Sequence, residues 1–240
     1  MEQFADIHIH LLPGVDDGAK DDAESRAMLL QAYQDGTRVL CLTPHFHPGF
    51  FGDNREAVQT QYERLRILVK QDYPDLRLAL GNELRYSPSC FEWLEKGYCL
   101  TLNGTDKVLV DFSEHVERRL VIDAVFRLMN AGYIPVLAHV ERYVNLHRDF
   151  REILYAKQSG ALIQVDADSL FGGWGLLAKS RSRRLLERGL VDLVCSDAHD
   201  TRSRTPQLSA AYTYTAERCG MQYADEIFHF NALKVLEIEG

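Results

Sequence analysis

Residues 107–139 read KVLVDFSEHVERRLVIDAVFRLMNAGYIPVLAH, and the spacing of their apolar residues changes twice along the way. Short β-rich apolar runs at 107–112 and 134–139 predict two strands. Between them, 117–130 carries Val121, Val125, Leu128 and Met129 on one stripe, with Glu117, Arg118, Arg127 and Asn130 off it, which predicts a helix. Gly132 follows, where a left-handed helix C-terminus favours glycine. A strand, a helix and a second strand in this order imply parallel strands joined by a right-handed crossover.

The same alternation runs outward in both directions. Further strands are predicted at 4–10, 39–43, 76–81, 161–166 and 191–196, and further helices at 22–35, 55–70, 87–96, 148–158 and 176–188. Segments 207–219 and 223–239 predict two closing helices. No Ser/Pro/Gly-rich linker and no repeat interrupts the series, so 1–240 reads as a single α/β domain of seven parallel strands closed into a barrel.

The composition fits that size. In 240 residues there are 27 Lys+Arg and 35 Asp+Glu, with 46% hydrophobic residues, which excludes disorder, collagen and coiled coil. A formal charge of −8 disfavours nucleic acid as a partner, because phosphate backbones are met by clustered Lys and Arg. The first residues lack a basic and apolar leader pattern, and no run of 18 apolar residues occurs, so a cytoplasmic protein without membrane insertion is expected. Five cysteines form no C-x-x-C pair, and Cys41 and Cys195, inside strand-like runs, read as buried small hydrophobes.

Nine histidines are generous for the length, and their placement carries the chemistry. His8 and His10 are two apart in a strand and leave the same face at its C-terminal end. Strand two runs into Thr43-Pro44-His45, strand three into Gly81-Asn82-Glu83, strand four into Val110-Asp111, strand five into Ala138-His139 and strand seven into Ser196-Asp197-Ala198-His199. A closed barrel aims such side chains at one mouth. With Asp17, the convergent set is His8, His10, Asp17, His45, Glu83, Asp111, His139, Asp197 and His199. Nine ligands exceed one ion, and mixed imidazole and carboxylate suits zinc, manganese or iron, so a multinuclear metal site is predicted. Asp166 and Asp168, after strand six, read as supporting residues. His47, His115, His147 and His229 lack strand-end companions and read as surface or locally hydrogen-bonded.

These residues resemble a known family. Asp6-Ile-His8-Ile-His10-Leu-Leu-Pro13-Gly-Val-Asp16-Asp17-Gly18, Thr43-Pro44-His45, Gly81-Asn82-Glu83-Leu84-Arg85, Ala138-His139-Val140-Glu141-Arg142-Tyr143 and Ser196-Asp197-Ala198-His199 are similar to the polymerase-and-histidinol-phosphatase (PHP) superfamily. Within it they resemble the bacterial capsule-type tyrosine-protein phosphatases, the CpsB/YwqE-like branch. The resemblance implies a distorted (β/α)7 barrel with up to three divalent ions, commonly Mn2+, with Fe, Zn, Co or Mg as alternatives. It implies one ion held by His8, His10, Glu83 and Asp197, a second by Glu83, His139 and Asp111, and a third by Asp17, His45 and His199. Arg142 and Arg204 match arginines that bind the substrate phosphate, with Arg202 two residues before the latter. The chain departs from the family pattern at Asp111 in place of Glu, Val140 in place of Pro, and Asp200 in place of Asn.

The implied reaction is hydrolysis of phosphotyrosine by direct in-line attack of a metal-activated hydroxide, with the cations and both arginines neutralising the phosphate. A phosphocysteine route needs Arg six residues after a cysteine, and those positions hold His47, Lys96, Thr105, Thr201 and Asp225. Phe50 and Phe51, in the loop after His45, are candidates to pack on the phosphotyrosyl ring, and residues 172–175 to form another part of the mouth. By the same resemblance, the implied partner is the tail of a bacterial tyrosine autokinase in capsule or exopolysaccharide synthesis, and a homo-oligomer is compatible with the chain. The rival readings are a small-molecule phosphatase of the histidinol-phosphate kind, a phosphoesterase, or a non-catalytic phosphopeptide-binding module.

Overall fold

A computed structural model describes residues 3–147 and 149–239. The strands are β1 (Phe4–Ile9), β2 (Thr37–Leu42), β3 (His45–Phe46), β4 (Arg77–Leu80), β5 (Glu83–Arg85), β6 (Lys107–Asp111), β7 (Ile134–Leu137), β8 (Leu162–Asp166) and β9 (Leu193–Cys195). The helices are α1 (Asp22–Gln34), α2 (Pro48–Phe51), α3 (Arg55–Asp72), α4 (Cys90–Glu95), α5 (Arg118–Asn130), α6 (Arg151–Gln158), α7 (Gly175–Glu187), α8 (Ser209–Cys219), α9 (Met221–Asp225) and α10 (Asn231–Leu236). Arg148, where the helix expected over 148–158 begins, lies outside the described residues.

All strand pairs are parallel, in the orders β1-β2-β4 and β3-β5-β6-β7-β8-β9. The expected strands 39–43 and 76–81 are β2 and β4, and each is followed across a break, at Thr43-Pro44 and at Gly81-Asn82, by a short further strand that was not predicted, β3 and β5. The physical cause is a shortage of ladder donors and a competing side chain. Pro44 has no N–H, and the Asn82 amide instead donates to Pro44 O at 2.9 Å and accepts from Leu100 N at 2.8 Å. A Cβ at Gly81 would lie 2.9 Å from Leu102 Cδ2 and 3.2 Å from Leu102 Cα, so glycine leaves room for the turn at Leu102–Gly104 that packs beside β4. Beyond the breaks, β3 and β5 continue the curl into β6.

The ring closes between its two ends. Ile9 bridges Ala198, His10 N donates to Ala198 O at 2.9 Å, and Asp197 N donates to His8 O at 2.8 Å. The result is a distorted seven-strand α/β barrel. Its inner cluster holds Ala5, Ile7, Val39, Cys41, Ala79, Leu109, Val136, Leu193 and Cys195, and burial pushes the Cys41 and Cys195 thiols up. The last helix seals the N-terminal ends of the strands: Leu233 and Leu236 join the inner cluster, and Arg77 and Lys107 bond Glu239 O and the Glu237 carboxylate at 2.5 and 2.6 Å. The open end is the one where β1, β5, β7 and β9 deliver their histidines and carboxylates. Among the described residues no helix is long and apolar enough to cross a membrane.

His147 is buried, with Nε2 donating to Val140 O at 2.7 Å and its ring edge against Phe150. Burial pushes its pKa down to about 4, although the Val140 carbonyl favours the charged form. A histidine held neutral in the fold stabilises it above the unfolded pKa of about 6.5, and that contribution is lost as pH falls toward 4. His147→Gln is therefore expected to flatten the pH profile of the unfolding free energy, followed by urea titration, by about 3 kcal/mol between these pH values. Parallel profiles for both proteins would show that His147 is not the responsible group.

Candidate metal centre and substrate cavity

Eight of the nine predicted ligands fall into three overlapping groups, each with its ligand atoms within 4.8 Å of one another: His10, Asp17, His45 and His199; His8, His10 and Asp197; and His8, Glu83 and His139. Glu83 stands at the junction. Its Oε2 lies 3.4, 3.3 and 2.7 Å from His8 Nε2, His10 Nε2 and His45 Nδ1, and its Oε1 lies 3.0 Å from His139 Nε2. Asp197 Oδ1 faces His8 and His10 at 3.2 and 3.3 Å, and Asp17 Oδ1 faces His45 and His199 at 3.2 and 3.5 Å. The ninth, Asp111, sits at the edge. Its Oδ1 is 3.6 Å from His139 Nε2, while its Oδ2 is taken by Arg85, a residue the sequence did not single out.

Local backbone geometry aims these groups. His139 and Asp197 follow β7 and β9 with φ of 34° and 49°, in the left-handed region that side chains rarely adopt. The turns swing both side chains across the barrel end instead of letting them continue the strand.

The histidines are also fixed by their other nitrogen. Asp16 Oδ2 takes His10 Nδ1 at 2.8 Å and accepts from His45 N at 2.9 Å, while its Oδ1 accepts from Gly18 N at 3.0 Å. A Cβ at Gly18 would come within 2.2 Å of His10 O, so the Asp-Asp-Gly turn requires its glycine. Gln164 Oε1 takes His8 Nδ1 at 3.2 Å and accepts from His139 N at 2.7 Å, and His199 Nδ1 meets Asp197 O at 2.9 Å. Such partners settle which ring nitrogen is presented to a cation. Neither Asp16 nor Gln164 was among the predicted site residues. Gln164 was detectable as the one amide inside the apolar run of strand six.

The donor set fits metal ions. His8 Nε2, His10 Nε2, His199 Nε2, Glu83 Oε2 and Asp197 Oδ1 are buried and, although they lie close to other ligand atoms, none makes an aligned hydrogen bond. Unsatisfied buried nitrogen and oxygen at this density is unfavourable unless a cation completes it. The charges lean the same way: burial, the largest influence, would lower His45, but the Glu83 charge together with the hydrogen bonds to Asp17 and Glu83 overcomes it and pushes the imidazole up to about 9. Burial likewise opposes the charged form of Glu83, yet the surrounding histidines hold its carboxyl well below the usual range.

Against this cluster opens a cavity of about 490 Å³, with His45, Glu83, His139 and Asp197 in its wall. Arg142 and Arg204 line it too. Each donates from Nη2 to Asp197 Oδ2 at 2.5 Å, Arg142 also pairs with the buried Asp166, and both guanidinium groups lie over the Trp174 ring at 3.5 and 4.9 Å. Arg202 is exposed and does not line it. The Asp200 carboxylate accepts from Arg202 N, Ser203 N and Ser203 Oγ at 2.6, 2.6 and 2.5 Å and so shapes the loop that presents Arg204.

The expected aromatic contact is placed differently. Phe51 stacks on His45 at 5.2 Å, Phe50 is 75% exposed, and neither lines the cavity. Helix α2 lies on the far side of His45, so the aromatic wall is made by Phe112, Tyr143 and Trp174. Trp174 belongs to the 172–175 loop. Among the described residues no cysteine lines the cavity.

Comparison with known proteins places this arrangement in context. Residues 4–237 match the family described as capsular polysaccharide synthesis, CpsB/CapC. The tyrosine-protein phosphatase CpsB of Streptococcus pneumoniae is 33% identical over 236 residues, covering 96% of this chain and 97% of that protein. The tyrosine-protein phosphatase YwqE of Bacillus subtilis is 36% identical over 201 residues, covering 83% of this chain and 78% of its own. A solved structure described among those of YwqE and CpsB, as unique metal-dependent tyrosine phosphatases, superposes with a TM-score of 0.84 at 32% identity, covering 98% of this chain and 95% of that one.

Proposed function

Because the chain belongs to the CpsB/CapC family of capsular polysaccharide synthesis proteins, we propose from its own site that it is a metal-dependent protein-tyrosine phosphatase. The observation that carries this reading is the meeting of three ligand groups and two arginines on one cavity that an aromatic wall borders. His8, His10, Glu83 and Asp197 would hold one ion, Glu83, His139 and Asp111 a second, and Asp17, His45 and His199 a third. Mn2+ is the ion we favour, with Fe, Zn, Co and Mg as alternatives.

Bound ions would supply polarisation of the phosphoryl oxygens and would lower the pKa of a water from about 15.7 toward about 7. The chain's own residues do the rest. Arg142 and Arg204 present guanidinium donors beside Asp197, where a phosphate dianion competes for them in bidentate geometry. Asp166 and Trp174 fix Arg142 in place before substrate arrives. Phe112, Tyr143 and Trp174 give the tyrosyl ring an apolar surface, and Phe51 acts on His45 instead of on the ring. A phenol leaves with a pKa near about 10, so its departure demands less proton donation than that of an alkyl alcohol.

We take residues 1–240 as one catalytic domain working in the cytoplasm, with the phosphorylated tail of a tyrosine autokinase as its protein substrate. Stripping metal with EDTA is expected to abolish hydrolysis of p-nitrophenyl phosphate, and Mn2+ to restore it. Full activity with metal loss confirmed would sink the metal-dependent reading. A phosphotyrosine peptide is expected to outpace histidinol phosphate and a 5′-phosphorylated oligonucleotide, and the reverse order would favour a small-molecule or nucleic-acid phosphoesterase.

A further inference from the structure

Beside the metal cavity a second hollow of about 410 Å³ is lined by Arg118, Asn145, His147, Ser180, Arg181 and Arg184. Val144, Leu177 and Arg181 line both hollows, so the two adjoin across a shared ridge. Among the described residues no carboxylate lines the second one. Its arginines are held in place: Arg184 lies over the Phe150 ring at 4.8 Å, Arg181 donates to Glu141 O at 3.3 Å, and Arg118 meets Glu152 at 3.2 Å from outside the hollow. Glu114, whose charge favours the charged form of Arg181, lines the metal cavity and not this hollow. Helix α7 supplies Lys179, Arg181, Arg183 and Arg184 against a single acid, Glu187. In a chain of net charge −8 such a one-sided patch is a local arrangement, not a consequence of composition.

We propose that this hollow is an accessory anion subsite, taking a carboxylate or phosphate group from the same substrate chain whose phosphotyrosine enters the metal cavity. The inference rests on the phosphatase reading and names its substrate class: peptide segments carrying a second negative group within a few residues of the target. The shared lining sets that spacing, since one extended residue spans only about 3.3 Å. The exposed Leu177 on the ridge gives the intervening residues an apolar contact. A long polyanion is disfavoured, because the rest of the surface carries the acidic excess.

The test uses the full-length, Mn2+-loaded protein and three matched phosphotyrosine peptides with neutral flanks, glutamate flanks, or a second phosphotyrosine. We expect kcat/KM to rise roughly fivefold with an anionic flank, in keeping with the contribution of rim charges. A larger rise with glutamate than with phosphotyrosine identifies a carboxylate site, and the opposite order a phosphate site. The preference should vanish in Arg118→Gln/Arg184→Gln while p-nitrophenyl phosphate turnover stays unchanged. It should also collapse for the wild-type protein at high salt, a readout that survives if the double variant fails to fold. Equal turnover of all three peptides, or a preference that persists in the folded double variant, would overturn the subsite alone. No turnover of any peptide would overturn the phosphatase reading itself.

Discussion

Glu83→Gln is expected to lower kcat/KM for p-nitrophenyl phosphate by about a thousandfold, or about 4 kcal/mol of transition-state stabilisation, and to remove at least one equivalent of bound metal. The reason is its position. One oxygen faces three imidazoles at 2.7 to 3.4 Å and the other faces a fourth at 3.0 Å, so a single carboxylate would serve the first and second of the three proposed ions. Glutamine keeps the volume but loses the charge, and it turns an N–H2 group toward cations where an oxygen is needed. Side by side, elemental analysis and steady-state kinetics decide the matter. Unchanged metal content at unchanged rate would remove Glu83 from the site.

Arg142→Ala is expected to reduce kcat/KM about a hundredfold with metal content intact, which separates phosphate binding from metal binding. It should also destabilise the fold by about 3 kcal/mol, because the buried Asp166 loses its cationic partner. Arg142→Lys tests the geometry: one ammonium can replace the single Nη2 that meets both Asp166 and Asp197, but it does not reproduce the planar guanidinium that stacks on Trp174 and leaves further N–H groups for a phosphate. We expect lysine to recover most of the stability and only about a tenth of the activity. Urea unfolding beside peptide kinetics separates the two effects. Wild-type activity in the lysine variant would show that charge alone is what the site uses.

Much of this arrangement is legible along the chain because it is local. Strand and helix periods are set by which neighbours share a face, so the βα alternation, the strand ends and the polar residues at those ends can be read from residues 107–139 outward. Convergence then follows from the parallel barrel, whose strands all finish at one end. That is how His8, His10, His45, Glu83, His139, Asp197 and His199 can be grouped before any coordinate is known.

What escaped depends on contacts between distant segments. The strand breaks at Pro44 and Asn82 arise because a side-chain amide takes over ladder positions on its neighbours. Asp16 and Gln164 act through histidines that face them only after folding. The aromatic wall falls to Trp174 and not to Phe50 and Phe51, since helix α2 lands behind His45 while the loop after β8 lands beside Arg142. Arg204 was the arginine expected at the phosphate; what only folding supplies is the cause, Asp200 tying the backbone between Arg202 and Arg204. Periodicity and residue type act over a few positions and specify the barrel and its ligands. The choice of which second partner orients each ligand, and which ring meets the substrate, is a packing outcome among segments far apart in sequence.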